Sequence, residues 1–424
     1  MLSTFKEDGR DNASSEYAHP TFLGYCSYAL IWSILSGEQQ QSMSLTRRKI
    51  VGVIFLVLFS PVAVYAYFQL FAFVPQFAYS VASEPLDLEV QDVTGDGLDD
   101  VLVAHRAAEG ISVLLGNGDG SLTAHDFVAL PFGATSLAVG DITRDGHKDV
   151  VVSVCGEHCK DNGIVVLRGD GLGNFYPELS YKVEGVPYNI TVADFDRDGT
   201  DDFVVSDYPS GVLRVFWRQD GNEELTHTAL PSGAKPVSLA VEDLNSDEFP
   251  DLVVANHGQA TLSIFLNRGG REFEVAQEIA VADLPYSVVA KDMNNDGRVD
   301  ILSAHSGPTG EVFVFEGHGD GHFTQAAHYE TDGRLIFITA NDFNQDSLTD
   351  IIVTRERGEE ASVFLGAPQN FRFRPEFRIP SGNSVYASQV ANLNGDSLLD
   401  LIDIDFSSGI LTVSAGQIPV DAAP

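Results

Sequence analysis

Seven nine-residue stretches carry side-chain oxygen at the same four places, and oxygen at that density suits the holding of a hard cation. They read DVTGDGLDD, DITRDGHKD, DFDRDGTDD, DLNSDEFPD, DMNNDGRVD, DFNQDSLTD and NLNGDSLLD. Positions one, three, five and nine are Asp92, Thr94, Asp96 and Asp100 in the first, and Asp141, Thr143, Asp145 and Asp149 in the second. They are Asp194, Asp196, Asp198 and Asp202 in the third, then Asp243, Asn245, Asp247 and Asp251 in the fourth. The fifth has Asp292, Asn294, Asp296 and Asp300, the sixth Asp342, Asn344, Asp346 and Asp350, and the seventh Asn392, Asn394, Asp396 and Asp400. Alternate residues on a tight turn converge on one point, and a glycine at position six, present in four copies, permits the positive φ such a turn needs. Oxygen donors without histidine or cysteine select Ca2+ over transition metals. A backbone carbonyl at position seven would complete the shell. An EF-hand differs, its last acid standing at position twelve between helices. Turns rich in Asp and Asn that bind nothing are the plainer alternative, but they do not require Asp at both five and nine in every copy. The third loop is the best endowed and the seventh the poorest. Glu248, Ser347 and Ser397 replace the glycine in the fourth, sixth and seventh loops, which predicts strain or weaker binding there.

The elements that hold these loops repeat with them. Successive loops start 49, 53, 49, 49, 50 and 50 residues apart. A short apolar strand precedes each, as in LAVG before Asp141, and a β-branched run follows, as in VVVSV or LVVAN. A third strand (ISVLL, IVVLR, LSIFL), a Gly/Asp-rich turn and a weaker fourth strand complete the unit. Four antiparallel strands per repeat, arranged radially, make an all-β, seven-bladed β-propeller. Only ten residues follow the last third strand, ILTVS, so blade seven lacks its own fourth strand. Pro75–Val81 is expected to supply it by pairing with Ile410–Ser414, closing the ring and removing its free edges.

The chain has 424 residues, with 25 Lys+Arg against 61 Asp+Glu and a net charge of −36. Such acidity argues against nucleic acid as a partner. Twenty-one of the twenty-eight loop ligand positions are aspartates, and up to seven bound calcium ions would bring −36 to about −22. Residues 1–46 are expected to form a disordered or mis-annotated extension. Residues 47–74 hold one hydrophobic helix, with Arg47-Arg48-Lys49 before an uncharged run from Ile50. That run is long enough to span a bilayer, with the N-terminus cytoplasmic. If Met43 is the start, it reads instead as a signal peptide cut after Val64-Tyr65-Ala66. Both readings put residues 84–424 outside the cytoplasm, and the propeller itself is expected to span residues 75–424. In that setting Cys155 and Cys159 are expected to form a disulfide across the turn between the second and third strands of blade two.

The repeat resembles the FG-GAP/VCBS family, the calcium-binding blade also found in integrin α-subunit propellers. The fourth copy, LAVEDLNSDEFPDLVVAN through TLSIFL, follows that pattern closely, and the resemblance covers residues 75–424. It implies the propeller fold, calcium and an extracytoplasmic setting. It does not name a ligand, because such propellers serve as adhesion modules, lectin-like binders, scaffolds and, occasionally, enzymes.

No nucleophile elbow, HExxH, phosphate loop or dinucleotide fingerprint occurs in the chain. The face opposite the loops collects more chemistry. The fourteenth residue from each loop start is His105, Val154, Asp207, Asn256, His305, Arg355 or Asp405. Six residues before each loop stand Leu86, Thr135, Tyr188, Val237, Tyr286, Ile336 and Tyr386. From these sets His105, Tyr188, Asp207, Asn256, Tyr286, His305, Arg355, Tyr386 and Asp405 are taken as candidates for binding a protein or glycan. Ordinary turn and packing residues are the plainer alternative. The competing functions are an extracellular polysaccharide lyase or hydrolase working on that face, and a purely architectural surface protein.

Overall fold

The computed structural model describes residues 73–156, 161–218, 225–282, 284–357, 360–368, 371–374, 377–381, 384–396 and 398–416. Every regular element among them is a strand, and together they form seven separate four-stranded antiparallel sheets. No helix among the described residues is long and apolar enough to cross a membrane. The expected hydrophobic helix in residues 47–74 and the extension before it lie outside the described residues, apart from the last two positions of that helix.

Each blade runs from an innermost strand through the nine-residue loop into a second strand that is buried on both faces. Asp100–His105, Asp149–Cys155, Asp202–Asp207, Asp251–Asn256, Asp300–His305, Asp350–Arg355 and Asp400–Asp405 fill this second place. The continuous β-branched runs read from the sequence belong here because neighbouring blades cover both sides. Seven apolar clusters lie one at each blade junction. Phe203 and Phe216 pack against Val151 and Val166 at the second, for instance, and Ile402 and Leu411 against Leu88 and Val103 at the seventh. The cluster between blades six and seven draws only Leu401 from blade seven as a fully buried member, with Val390 and Leu399 partly buried against it.

The N-terminal strand Phe73–Ser80 is the outer strand of blade seven, antiparallel to Ile410–Gly416, with Pro75 opposite Ser414 and Ser80 opposite Ile410. The ring is therefore closed by the pairing expected from the sequence. Phe77, Tyr79 and Val81 pack against the junction of blades seven and one. The Tyr79 hydroxyl accepts a hydrogen bond from the Leu122 amide of blade one at 2.7 Å, so the closing strand grips both blades.

Candidate metal loops and binding channel

Position six of the loop takes the left-handed conformation, at φ 84–85° in the four glycine copies. Glu248 and Ser347 adopt the same conformation at φ 70° and 65°, so the expected strain in the fourth and sixth loops is present. Ser397 lies outside the described residues. Position four is also left-handed in all seven copies, which its residue types do not signal: Gly95, Arg144, Arg197, Ser246, Asn295, Gln345 and Gly395.

These two inversions fold the loop around its first carboxylate. Asp194 accepts the amides of Asp198 and Gly199 at 3.0 and 2.9 Å, and Asp243, Asp292 and Asp342 accept the matching pair. The ninth residue is buried in every copy. One of its oxygens accepts an amide at the end of the third strand, as Asp100 does from Gly116 and Asp400 from Gly416, both within 3.0 Å. In five copies the other oxygen accepts the amide of position two, as Asp251 does from Leu244 at 2.9 Å, and in the second copy Asp149 takes the amide of Thr143. Burial pushes Asp202, Asp251 and Asp350 up to about 7 and Asp300 to about 6.

The third loop breaks this pattern. Asp202 is fully buried and its Oδ2 has no hydrogen-bond partner, although its Oδ1 accepts from the Arg218 amide at 2.7 Å. Oxygens of Asp194, Asp196 and Asp202 lie within 4.8 Å of one another, the one such acidic group among the described residues. A buried carboxylate oxygen without a donor is costly. Here it faces two other carboxylates, a donor set that fits a hard dication and no neutral ligand.

On the opposite side, the innermost strands of all seven blades line a central channel of about 580 Å3. Pairing between each innermost and second strand slips at one place. The skipped residues are Leu86, Thr135, Val237, Tyr286, Ile336 and Tyr386, and in blade three Tyr188 with Asn189. These include all seven residues that stand six before a loop, and each of the seven lines the channel. A bulge re-aims the side chain it carries. Blades three, five and seven thereby send tyrosines to one point: the hydroxyls of Tyr188 and Tyr286 are 2.8 Å apart. Burial, with Tyr386 adding to it, pushes the pKa of both above the usual tyrosine value; Tyr286 raises Tyr188 further, whereas the bond from Tyr188 pulls Tyr286 back. Tyr208 stacks on Tyr188, and His257 meets Tyr286 edge-on.

The candidates at the fourteenth position sit elsewhere. His105, Asp207, Asn256, His305, Arg355 and Asp405 are all buried and are bonded to the surrounding strands and turns, His305 to Ser303 at 2.8 Å. His105 bonds Ser112 at 2.8 Å, and Asp207 pairs with Arg214 at 2.8 Å. Asn256 accepts the Gly233 amide, and Asp405 accepts those of Ser384, Ser407 and Ser408. Arg355 donates to the Asp332 and Glu360 carbonyls. The channel therefore gathers the tyrosines but not the two histidines. Cys155 is disulfide-bonded; Cys159 lies outside the described residues.

A second set of channel residues went unnoticed in the sequence. Five residues before the loop, Asp87, Ser136, Asn189, Ser238 and Ser287 each accept the amide of the next blade: Leu137, Ile190, Leu239, Val288 and Ile338, at 3.1–3.3 Å. The matching residues of blades six and seven, Phe337 and Ala387, have no oxygen to offer. Gln389 instead joins blade seven to blade one, accepting from the Val90 amide and donating to the Leu88 carbonyl and Glu89, each at 3.0 Å. Burial raises Asp87 to about 6. Burial, with the charge of Asp87 adding to it, raises Glu89 to about 7.

The FG-GAP-like repeat model matches residues 92–152, 194–254, 243–303 and 342–402, together more than half of the chain. No curated protein matches. Two solved structures of BBS1N in complex with ARL6DN, soaked with lead and with mercury, align at 14% identity and a TM-score of 0.59. Each alignment covers 82% of this chain and 98% of that one. A functionally unknown protein from Desulfotomaculum acetoxidans DSM 771 aligns at 12% identity and a TM-score of 0.50, over 68% of this chain and 84% of that one. At these identities the likeness concerns the fold alone.

Proposed function

The chain belongs to the FG-GAP-like repeat family, and from that premise we propose that it is an extracytoplasmic, calcium-stabilised propeller that binds a protein or glycan through the face opposite its loops. Repeats of this family often bind calcium and are typically extracellular, and the fold serves in general as a protein-binding or adhesion module. The observation that carries the binding role is the tyrosine cluster. Three bulges spend regular pairing to aim Tyr188, Tyr286 and Tyr386 into one mouth of the channel. Tyrosine offers apolar area and a polar tip at little entropic cost, which suits recognition of sugars and peptide side chains.

The orphaned Oδ2 of Asp202 supports the calcium role, with Asp194 and Asp196 as companion ligands. An ion there would supply charge neutralisation and hold the loop against the third strand. A glycan array and a displayed-peptide screen, both run with calcium, test the binding role. Ligands so found should lose affinity with Tyr286→Ala and keep it with Tyr176→Ala, whose side chain is 51% exposed on an outer strand. Ligands insensitive to all three tyrosines would refute the assignment.

One observation favours the enzymatic alternative. Glu89, held near 7 inside the channel, is poised to give or take a proton at neutral pH. Polysaccharide cleavage abolished by Glu89→Gln would establish that reading, and absence of cleavage across a panel of polysaccharides would remove it.

A further inference from the structure

In the third loop a positive charge is already present. Arg271, from the turn between the third and fourth strands of blade four, reaches across to blade three and grips Asp196. Its Nε lies 2.8 Å and its terminal nitrogen 2.7 Å from Asp196 Oδ2. The guanidinium also lies over the Trp217 ring, 5.2 Å from the centroid. Both partners are largely withdrawn from water, with side-chain exposures of 28% and 10%.

The turn is built unusually to deliver this residue. Corresponding turns in blades one, two and five place glycine at both left-handed positions: Gly118 and Gly120, Gly171 and Gly173, Gly319 and Gly321. In blade four the left-handed run is Gly269, Gly270 and Arg271, the last at φ 69°. A side chain in that conformation is strained, and the strain is held where the guanidinium meets Asp196 and Trp217. A planar fork that binds carboxylate and stacks on an aromatic ring is specific to arginine.

We propose that Arg271 is an internal competitor for the cation site of the third loop, so that this site exchanges a guanidinium from the neighbouring blade for a divalent ion. In the fifth loop the arginine on Asp296 is Arg298 of the same loop, at 2.6 Å, and in the sixth Arg374 of the same blade stands 3.8 Å from Asp346. The inference rests on the calcium assignment above. Asp196 cannot give Oδ2 to both charges at full strength. Cation binding at Asp194, Asp196 and Asp202 therefore releases Arg271 and lets its turn relax. Occupancy of the most acidic loop is weakened and tied to the position of a residue on the neighbouring blade. Arg197 of the same loop already pairs with Glu248 of the fourth at 2.9 Å, so blades three and four are joined at two points that carry charge.

Trp217 supplies the test, being the one tryptophan among the described residues. Terbium ions added to the purified full-length protein, excited where tryptophan alone absorbs, should emit by transfer from Trp217. Asp202→Asn should abolish that emission. Arg271→Ala should tighten half-saturation about tenfold, the worth of one half-buried ion pair, and Arg268→Ala in the same turn should not. Terbium should also perturb the intrinsic emission of Trp217 in the wild type but not in Arg271→Ala. Emission that survives Asp202→Asn would refute the metal assignment at this loop and the proposal with it. Emission lost in Asp202→Asn but unmoved or weakened by Arg271→Ala would overturn the competitor role alone.

Discussion

Tyr79→Phe removes a single oxygen from the closing strand, and the structure lets its cost be worked out. The ring of Tyr79 packs at the junction of blades seven and one and would stay there. What is lost is the acceptor for the Leu122 amide, a 2.7 Å bond made at a residue only 5% exposed. An amide left without a partner in such a place costs about 1–3 kcal/mol. Each kcal/mol shifts the melting temperature of a large domain by about 2 °C, so the variant should melt about 2–6 °C below the wild type. Thermal unfolding followed by circular dichroism, in saturating calcium, measures this. Tyr176→Phe, at a site 51% exposed, serves as the control and should be neutral. If Tyr79→Phe melts with the control, the closing strand does not depend on its grip on blade one. Deleting residues 1–83 should have a much larger effect, because blade seven keeps three strands and an open edge.

Other consequences are equally direct. Asp403 stands where five other blades place valine, buried between blades six and seven, and burial pushes it up to about 7. Because the fold disfavours its ionised form, the stability is fully present below about pH 4, where the unfolded carboxyl is also protonated, is lost progressively as pH rises from there to about 7, and changes little above it; the loss between pH 5 and pH 8 is about 2–3 kcal/mol. Asp403→Val should flatten this part of the pH profile, and parallel profiles would count against the assignment. Ser347→Gly relieves a left-handed serine at φ 65° and should stabilise by about 1 kcal/mol in a denaturant titration; a loss of stability would mean the side chain has a role not evident in its contacts. Chelation should lower the melting temperature, and calcium at a hundredfold excess over Kd should restore about 2.7 kcal/mol per site. Asp202→Asn should blunt that response more than Asp400→Asn.

The repeat was legible because its period fixes everything local: strand order, loop position, glycine at position six and the strand that closes the ring. Side-chain direction was less legible. His105, Asp207 and Asp405 fall at the end of a second strand, which neighbours cover on both faces, so they face the adjoining third strand and turn rather than the channel. Tyr188, Tyr286 and Tyr386 reach the channel only because a bulge turns them, and bulges leave no mark in hydrophobic alternation. The row from Asp87 to Ser287 was visible as polar residues five before the loop, yet its meaning depends on the neighbouring blade, which no single repeat encodes. Arg271 is further removed still, since it acts on a loop 75 residues earlier in the chain.

The seam between blades six and seven combines three deficits. It lacks the side-chain link that Phe337 cannot make, and its core takes a single fully buried apolar residue from blade seven. Thr354, Ser388 and Asp403 are also buried there with side-chain oxygens that make no hydrogen bond of normal geometry. Repacking these positions with the aliphatic residues of the other blades offers the most direct route to a sturdier ring.

The closing pair also sets how the molecule bears force. Phe73 lies opposite Gly416, so both ends of the ring leave from the same point, on the side of the loops. Tension applied between those two ends would peel the strands apart one rung at a time, which takes little force. Tension between the N-terminal end and a ligand held on the opposite face would instead drag Phe73–Ser80 lengthwise along its partner, loading every rung together. Pulled in this second direction the propeller is a strong mechanical link, and pulled in the first it is a zipper.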